Sequence, residues 1–191
     1  MTNSIILVGV GGQGTILASK LLTLGLMEAG YDVKMSEIHG MSQRGGSVSS
    51  QVRYGEKVYS SVIERGGADI LVSFEKMEAA RWITHLKPGG KIVVNNHAIH
   101  SMVTLTGKVP YPKDIIKELK TKAETLVINA TELAEELGNN KVMNVILLGA
   151  LVKSMNLESI NWGKIIEENV KVKFVELNKK ALTLGMSLVN V

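Results

Sequence analysis

The sequence predicts an α/β fold in which a mostly parallel β-sheet lies between two layers of helices, and three observations carry that prediction. The apolar run Ile5-Ile6-Leu7-Val8 has strand length, ends in the turn Gly9-Val10-Gly11-Gly12-Gln13-Gly14, and leads directly into an apolar, helix-forming stretch from Thr15 to Ala29. Further strand-length apolar runs occur at Asp69 to Phe74, Lys91 to Asn95 and Glu124 to Asn129, with helical patterns after or between them, the alternation that builds parallel sheets. After the second strand, a polar, glycine-rich stretch and a segment of alternating residues interrupt the alternation and read as a β-hairpin insertion. The expected architecture is a Rossmann-like three-layer sandwich with that insertion, as a single domain over residues 1–191.

Each element follows from local chemistry. Gly30 is a good stop for the first helix, and Tyr31 to Glu37 reads as the second strand. Val48 to Tyr54 alternates, Gly55-Glu56 looks like a turn, and Lys57 to Ile63 reads as the returning strand of the hairpin. Ser73 is a candidate N-cap for a helix from Glu75 to His85, which Lys87-Pro88-Gly89-Gly90 ends. Asp114 to Thr121 and Thr131 to Leu137 are short helices. The stretch Val142 to Met155 is apolar nearly all round, which means either the core of this chain or the cover of another subunit; the core is the simpler expectation. Trp162 to Val170 and Phe174 to Gly185 close the chain as helices.

Composition narrows the function classes. With 45% hydrophobic and 21% charged residues, 191 residues suffice for one sizeable core. The net charge of +4 is modest, basic and acidic residues are interleaved, and only eight aromatic residues are scattered along the chain, which argues against nucleic acid as a partner. Met1-Thr2-Asn3-Ser4 has no positive lead into an apolar segment, and the most apolar later stretch, Val142 to Val152, is too short to span a bilayer, so a cytoplasmic protein without membrane association is expected. The absence of cysteine removes disulfides, thiol nucleophiles and any iron–sulfur cluster ligated by this chain.

Gly9, Gly11 and Gly14 match G-x-G-x-x-G, where missing Cβ atoms let the backbone turn sharply and let an anion approach helix-end N–H donors; the same glycines would also serve close packing of helix on strand alone. Glu37, 23 positions beyond Gly14, stands where a dinucleotide site places its ribose-binding acid, or is simply a surface acid at a strand end. Arg44 beside Gly45-Gly46 can present a guanidinium with exposed backbone donors to a phosphate or carboxylate, or be solvated or paired with Glu37. The strand ends Ser73 to Glu75 and Asn95 to His97 should open onto the same edge as the glycine turn. His97 and His100 lack the further ligands that zinc needs, so no metal site is expected, while a general-base role stays open for either; no nucleophile signature accompanies them.

Four stretches together resemble a known family: Gly9 to Gly14, Glu37 to Val48, Phe74-Glu75-Lys76-Met77-Glu78-Ala79-Ala80-Arg81, and Asn178-Lys179-Lys180-Ala181-Leu182. In order and spacing, over essentially the whole chain, they are similar to the gamma-type subunit of the 2-oxoacid:ferredoxin oxidoreductases. The loop His39-Gly40-Met41-Ser42-Gln43-Arg44-Gly45-Gly46 most resembles the small (beta) subunit of indolepyruvate:ferredoxin oxidoreductase. The resemblance implies oxidative decarboxylation of a 2-oxoacid, indolepyruvate or another arylpyruvate, to an acyl-CoA. Thiamine diphosphate and iron–sulfur clusters would sit on a large partner subunit, which would pass electrons to ferredoxin, with CoA as co-substrate. Consistently, this chain has neither cysteine nor a Gly-Asp-Gly signature, so it should bind none of these cofactors alone and be inactive alone. The resemblance makes His39, Met41, Ser42, Gln43, Arg44, Gly45, Gly46 and Glu75 candidates to face substrate, CoA or the partner. It makes Gly9, Gly11, Gly12, Gln13 and Gly14 the turn that shapes that edge, and assigns no catalytic residue. Two alternatives remain from the residues: a free-standing NAD(P)-binding dehydrogenase, which the glycine motif and Glu37 favour but the insertion and short length disfavour, and a non-enzymatic nucleotide-binding scaffold.

Overall fold

The computed structural model describes residues 2–39 and 45–189, and of His39 only the backbone; Gly40, Met41, Ser42, Gln43 and Arg44 lie outside the described residues. Among the described residues the sheet has six strands: β1 (Thr2–Val10), β2 (Asp32–His39), β3 (Ser47–Gly55), β4 (Ala68–Ser73), β5 (Leu86–Asn95) and β6 (Glu124–Ile128), in the order β2-β3-β1-β4-β5-β6. Strands β1, β4, β5 and β6 run parallel, while β3 is antiparallel to both β1 and β2 and is, among the described residues, the single reversed strand.

The layers follow from where apolar side chains go. In β1, Ile5 and Leu7 face one core and Ile6 and Val8 the other, which is why this strand reads as a continuous apolar run rather than an alternating one. The first core is covered by α1 (Thr15–Glu28), α5 (Ala130–Glu136), α6 (Met143–Ser154), α7 (Trp162–Asn169) and α8 (Val175–Ser187). The second is covered by α2 (Lys76–Trp82) and α4 (Ile115–Lys122), with the short α3 (Met102–Leu105) in the connection between β5 and α4. Every residue of α6 from Met143 to Val152 is buried, so its all-round apolar surface belongs to this chain's own core. Fully burying a side chain such as Ile5, Leu7 or Phe74 contributes roughly 1.5–3 kcal/mol, which makes the two cores the main source of rigidity behind the sheet edge.

The antiparallel element enters after the second strand as expected, but its pairing differs. Lys57 to Ile63 forms no strand; the hairpin partner of β3 is β2, in register from Asp32 with Gly55 to His39 with Val48. Side chains satisfy the crossing segment instead of a ladder. Asp32 Oδ2 accepts from Val58 N at 2.9 Å, Gln51 Oε1 from Ile63 N at 2.6 Å, and Arg53 Nη1 donates to the carbonyls of Ser60 and Val62. A second correction concerns the cap of α2. Glu75, not Ser73, is the N-cap, its carboxylate accepting from Glu78 N, while Ser73 Oγ donates to the Glu75 carbonyl at 2.6 Å.

Candidate functional site

The C-terminal ends of the parallel strands open onto one edge, and buried amides stitch that edge together. After β1, Gln13 Oε1 accepts from Val10 N at 2.8 Å while its Nε2 donates to the Phe74 carbonyl at 2.9 Å, so one side chain ties the glycine turn to the end of β4. Asn95, fully buried at the end of β5, donates to the same Phe74 carbonyl at 3.2 Å and to Thr131 Oγ1 at 3.0 Å, and accepts from Ala130 N at 3.0 Å. Four strand-to-helix connections are thereby joined through two primary amides, an arrangement that fixes the edge because neither amide can move without leaving buried donors unpaired.

The glycine turn has a steric reason at two positions. A Cβ on Gly9 would lie 2.9 Å from both Gln13 Oε1 and Phe74 Cβ, displacing the bridge. Gly14 adopts φ +80°, and a Cβ there would approach Asn144 Nδ2 to 2.4 Å, where that amide donates to the Gly14 carbonyl at 3.0 Å. Gly14 is also the N-cap of α1, which has no side-chain cap. Its first N–H groups therefore face the edge with only the glycine backbone before them.

The two motifs singled out in the sequence meet here. Gly11 N donates to the Gly46 carbonyl at 2.8 Å, so the end of the hairpin connection is fastened to the first glycine turn. Gly45 lines a cleft of about 680 Å³ between the start of β3, α2 and residues 99–111. A second cleft of about 660 Å³ lies on the other side of Ile99, between Gly12, Gln13, Gly14, Lys141 and Asn144.

Glu75 lines the first cleft but its carboxylate is engaged within the chain. It is 1% exposed; Oε2 accepts from Glu78 N at 3.0 Å, and Oε1 from Ile99 N at 3.2 Å and from the Tyr111 hydroxyl. Burial first, and then this bond to Glu75, hold the Tyr111 phenol protonated well above its ordinary range. Glu37 accepts from Ser19 Oγ at 2.8 Å, which sets it against α1. His97 lines the second cleft and His100 the first, where its ring packs on Tyr111 at 5.0 Å. Among the described residues no three His, Asp or Glu side chains converge as metal ligands would.

Several cleft residues carried no individual signal in the sequence. Glu78, nearly buried, accepts from Ser47 Oγ and pairs with Arg81 Nε at 3.2 Å, placing an exposed guanidinium at the cleft. The i,i+3 spacing of Glu78 and Arg81 was visible, but the arrival of Ser47 from β3 and Tyr111 from the connection before α4 required the fold.

Comparison with known proteins agrees with this architecture. The family model described as pyruvate ferredoxin/flavodoxin oxidoreductase matches residues 4–188. The indolepyruvate oxidoreductase subunit IorB of Pyrococcus horikoshii is 39% identical over 190 residues, covering 96% of this chain and 94% of that protein. The gamma subunit of a keto/oxoacid ferredoxin oxidoreductase from Geobacter sulfurreducens superposes with a TM-score of 0.72 at 25% identity, covering 97% of each chain. A 2-oxoglutarate:ferredoxin oxidoreductase from Magnetococcus marinus, solved with 2-oxoglutarate, coenzyme A and succinyl-CoA, shares the fold with a TM-score of 0.78 at 19% identity over 98% of this chain and 31% of its own. The chain belongs to the pyruvate ferredoxin/flavodoxin oxidoreductase family, as one of its gamma-type members.

Proposed function

We propose that this chain is the accessory subunit of a ferredoxin-dependent oxidoreductase that decarboxylates indolepyruvate or another arylpyruvate to its acyl-CoA, in the cytoplasm. The observation that carries the reading is the bond from Gly11 N to the Gly46 carbonyl, which supports a single edge made of glycine turn and hairpin connection beside a 680 Å³ cleft. The side chains on that edge serve binding rather than bond-making: Glu75 is engaged as a cap, and no cysteine exists to hold an iron–sulfur cluster. The large partner would hold thiamine diphosphate, which supplies the carbon nucleophile for decarboxylation, and the clusters that lead electrons to ferredoxin.

In this role the chain's own groups orient and exclude water. The uncapped N–H groups of α1, Arg81 and, from outside the described residues, Arg44 suit the carboxylate of a 2-oxoacid or a CoA phosphate. His39, Met41, Ser42, Gln43, Gly45 and Gly46 would face that ligand or the partner. The test is co-expression with the large subunit followed by 2-oxoacid-dependent reduction of an electron acceptor. Both chains should be required, and turnover by this chain alone would overturn the reading. Arg44→Ala should lower turnover of the complex while leaving the melting temperature of the chain in place.

A further inference from the structure

We infer that the surface formed by residues 101–122 is a docking face for an acidic, apolar-centred patch of the large partner subunit, and that it closes the first cleft when occupied. The inference rests on the proposed subunit role and names the surface through which that role is exercised.

Two observations coincide on this stretch. Met102, Val103, Leu105 and Val109 are 74%, 51%, 66% and 52% exposed within eight residues. Single exposed apolar side chains are ordinary, but four crowded into one short connection make the kind of surface that a partner covers. Next to them, Lys108, Lys113, Lys117, Lys120 and Lys122 are all exposed. Among the described residues none of the five takes part in an ion pair or side-chain hydrogen bond; other unpaired lysines, such as Lys20, Lys141 and Lys180, are scattered, while these five fall within fifteen residues. Only Asp114 and Glu118 offset them within the stretch. Because Ile115 and Leu119 anchor α4 in the second core, its lysines are held outward in a fixed array.

An exposed apolar strip followed along the chain by uncompensated cations matches an acidic protein surface by charge complementarity. The position selects the large subunit. Met102 and Thr104 line the first cleft together with Tyr111, whose hydroxyl is bonded to Glu75, so a partner on the apolar strip also covers the cleft mouth. A carrier that visits and leaves would open that mouth to water at every turnover.

The experiment measures binding of the full chain to the purified large subunit at low and high salt, since the screening length falls from about 30 Å at 0.01 M to about 3 Å at 1 M. Lys117→Glu, Lys120→Glu and Lys122→Glu together should slow association roughly tenfold or more at low salt and converge on wild type at 1 M. Met102→Ser with Leu105→Ser should speed dissociation at an unchanged association rate. Should the charge-reversed chain not fold, judged by its melting curve, the same three positions as Gln keep the test. Wild-type association kinetics in the lysine variant would overturn the inference. So would intact assembly combined with a raised KM for ferredoxin, which would assign the face to the carrier. No binding of the wild-type chain to the large subunit would instead overturn the subunit reading beneath it.

Discussion

Replacing Glu75 by Gln tests whether this carboxylate is consumed by the fold or kept for a ligand. The wild-type side chain is 1% exposed and accepts three hydrogen bonds, from Glu78 N on one oxygen and from Ile99 N and the Tyr111 hydroxyl on the other. An amide has one acceptor oxygen, so Gln can satisfy one set while its NH2 group meets the donors of the other. Losing the helix cap costs about 1 kcal/mol, and turning the remaining charge-assisted bonds into neutral ones, with a donor left unpaired, brings the total to roughly 2–3 kcal/mol. For a chain of this length that is a fall in melting temperature of roughly 5–10 °C. Thermal and urea unfolding of the isolated chain measure it, with Tyr111→Phe in a double-mutant cycle that should show coupling of about 0.5–3 kcal/mol. A Glu75→Gln chain that melts within about 1 °C of wild type, yet lowers turnover of the complex, would refute the reasoning and return the carboxylate to the ligand.

Gln13→Ala strips partners from Val10 N and the Phe74 carbonyl at the centre of the edge, and should destabilise by about 1–3 kcal/mol, read by urea denaturation. Gly14→Ala forces a Cβ into a left-handed position and against the Asn144 amide; roughly 2 kcal/mol or more is expected, with Gly12→Ala, whose Cβ would meet nothing within 4 Å, as the control for backbone strain alone. Tyr54 is nearly buried, and burial, with Tyr31 and Asp69 adding to it, pushes its phenol from 10.0 to about 12. The unfolded chain then loses this proton at lower pH than the folded one, so stability is intact below pH 10.0 and falls toward pH 12, by an amount on the order of 2 kcal/mol. Tyr54→Phe should flatten that alkaline slope in unfolding curves measured across the window.

The centre of the parallel sheet was readable because β1, β4 and β5 are buried on both faces over their apolar segments and so write continuous apolar runs, as in Ile5 to Val8 and Ile92 to Val94. The pairing of β3 was not. Its alternation is compatible with either neighbour in sequence, and the choice of β2 over Lys57 to Ile63 depends on Gln51, Arg53 and Asp32 capturing the backbone of the crossing segment. The place of Glu75 directly after a strand puts it near the edge, but its engagement by Tyr111, 36 positions away, and by Ile99 is written in no local pattern.

What the sequence alone determined is the glycine turn, the alternation of parallel strands with helices outside the hairpin, and the absence of any thiol ligand, because these depend on local backbone freedom, apolar periodicity and composition. What only the tertiary structure decided is which segments converge at the edge: Gly46 on Gly11, Asn95 and Gln13 on one carbonyl of Phe74, and Ser47 on Glu78. Those contacts join residues that share no sequence pattern, and they exist because burying polar groups at strand ends leaves each donor and acceptor with a partner it must find across the fold.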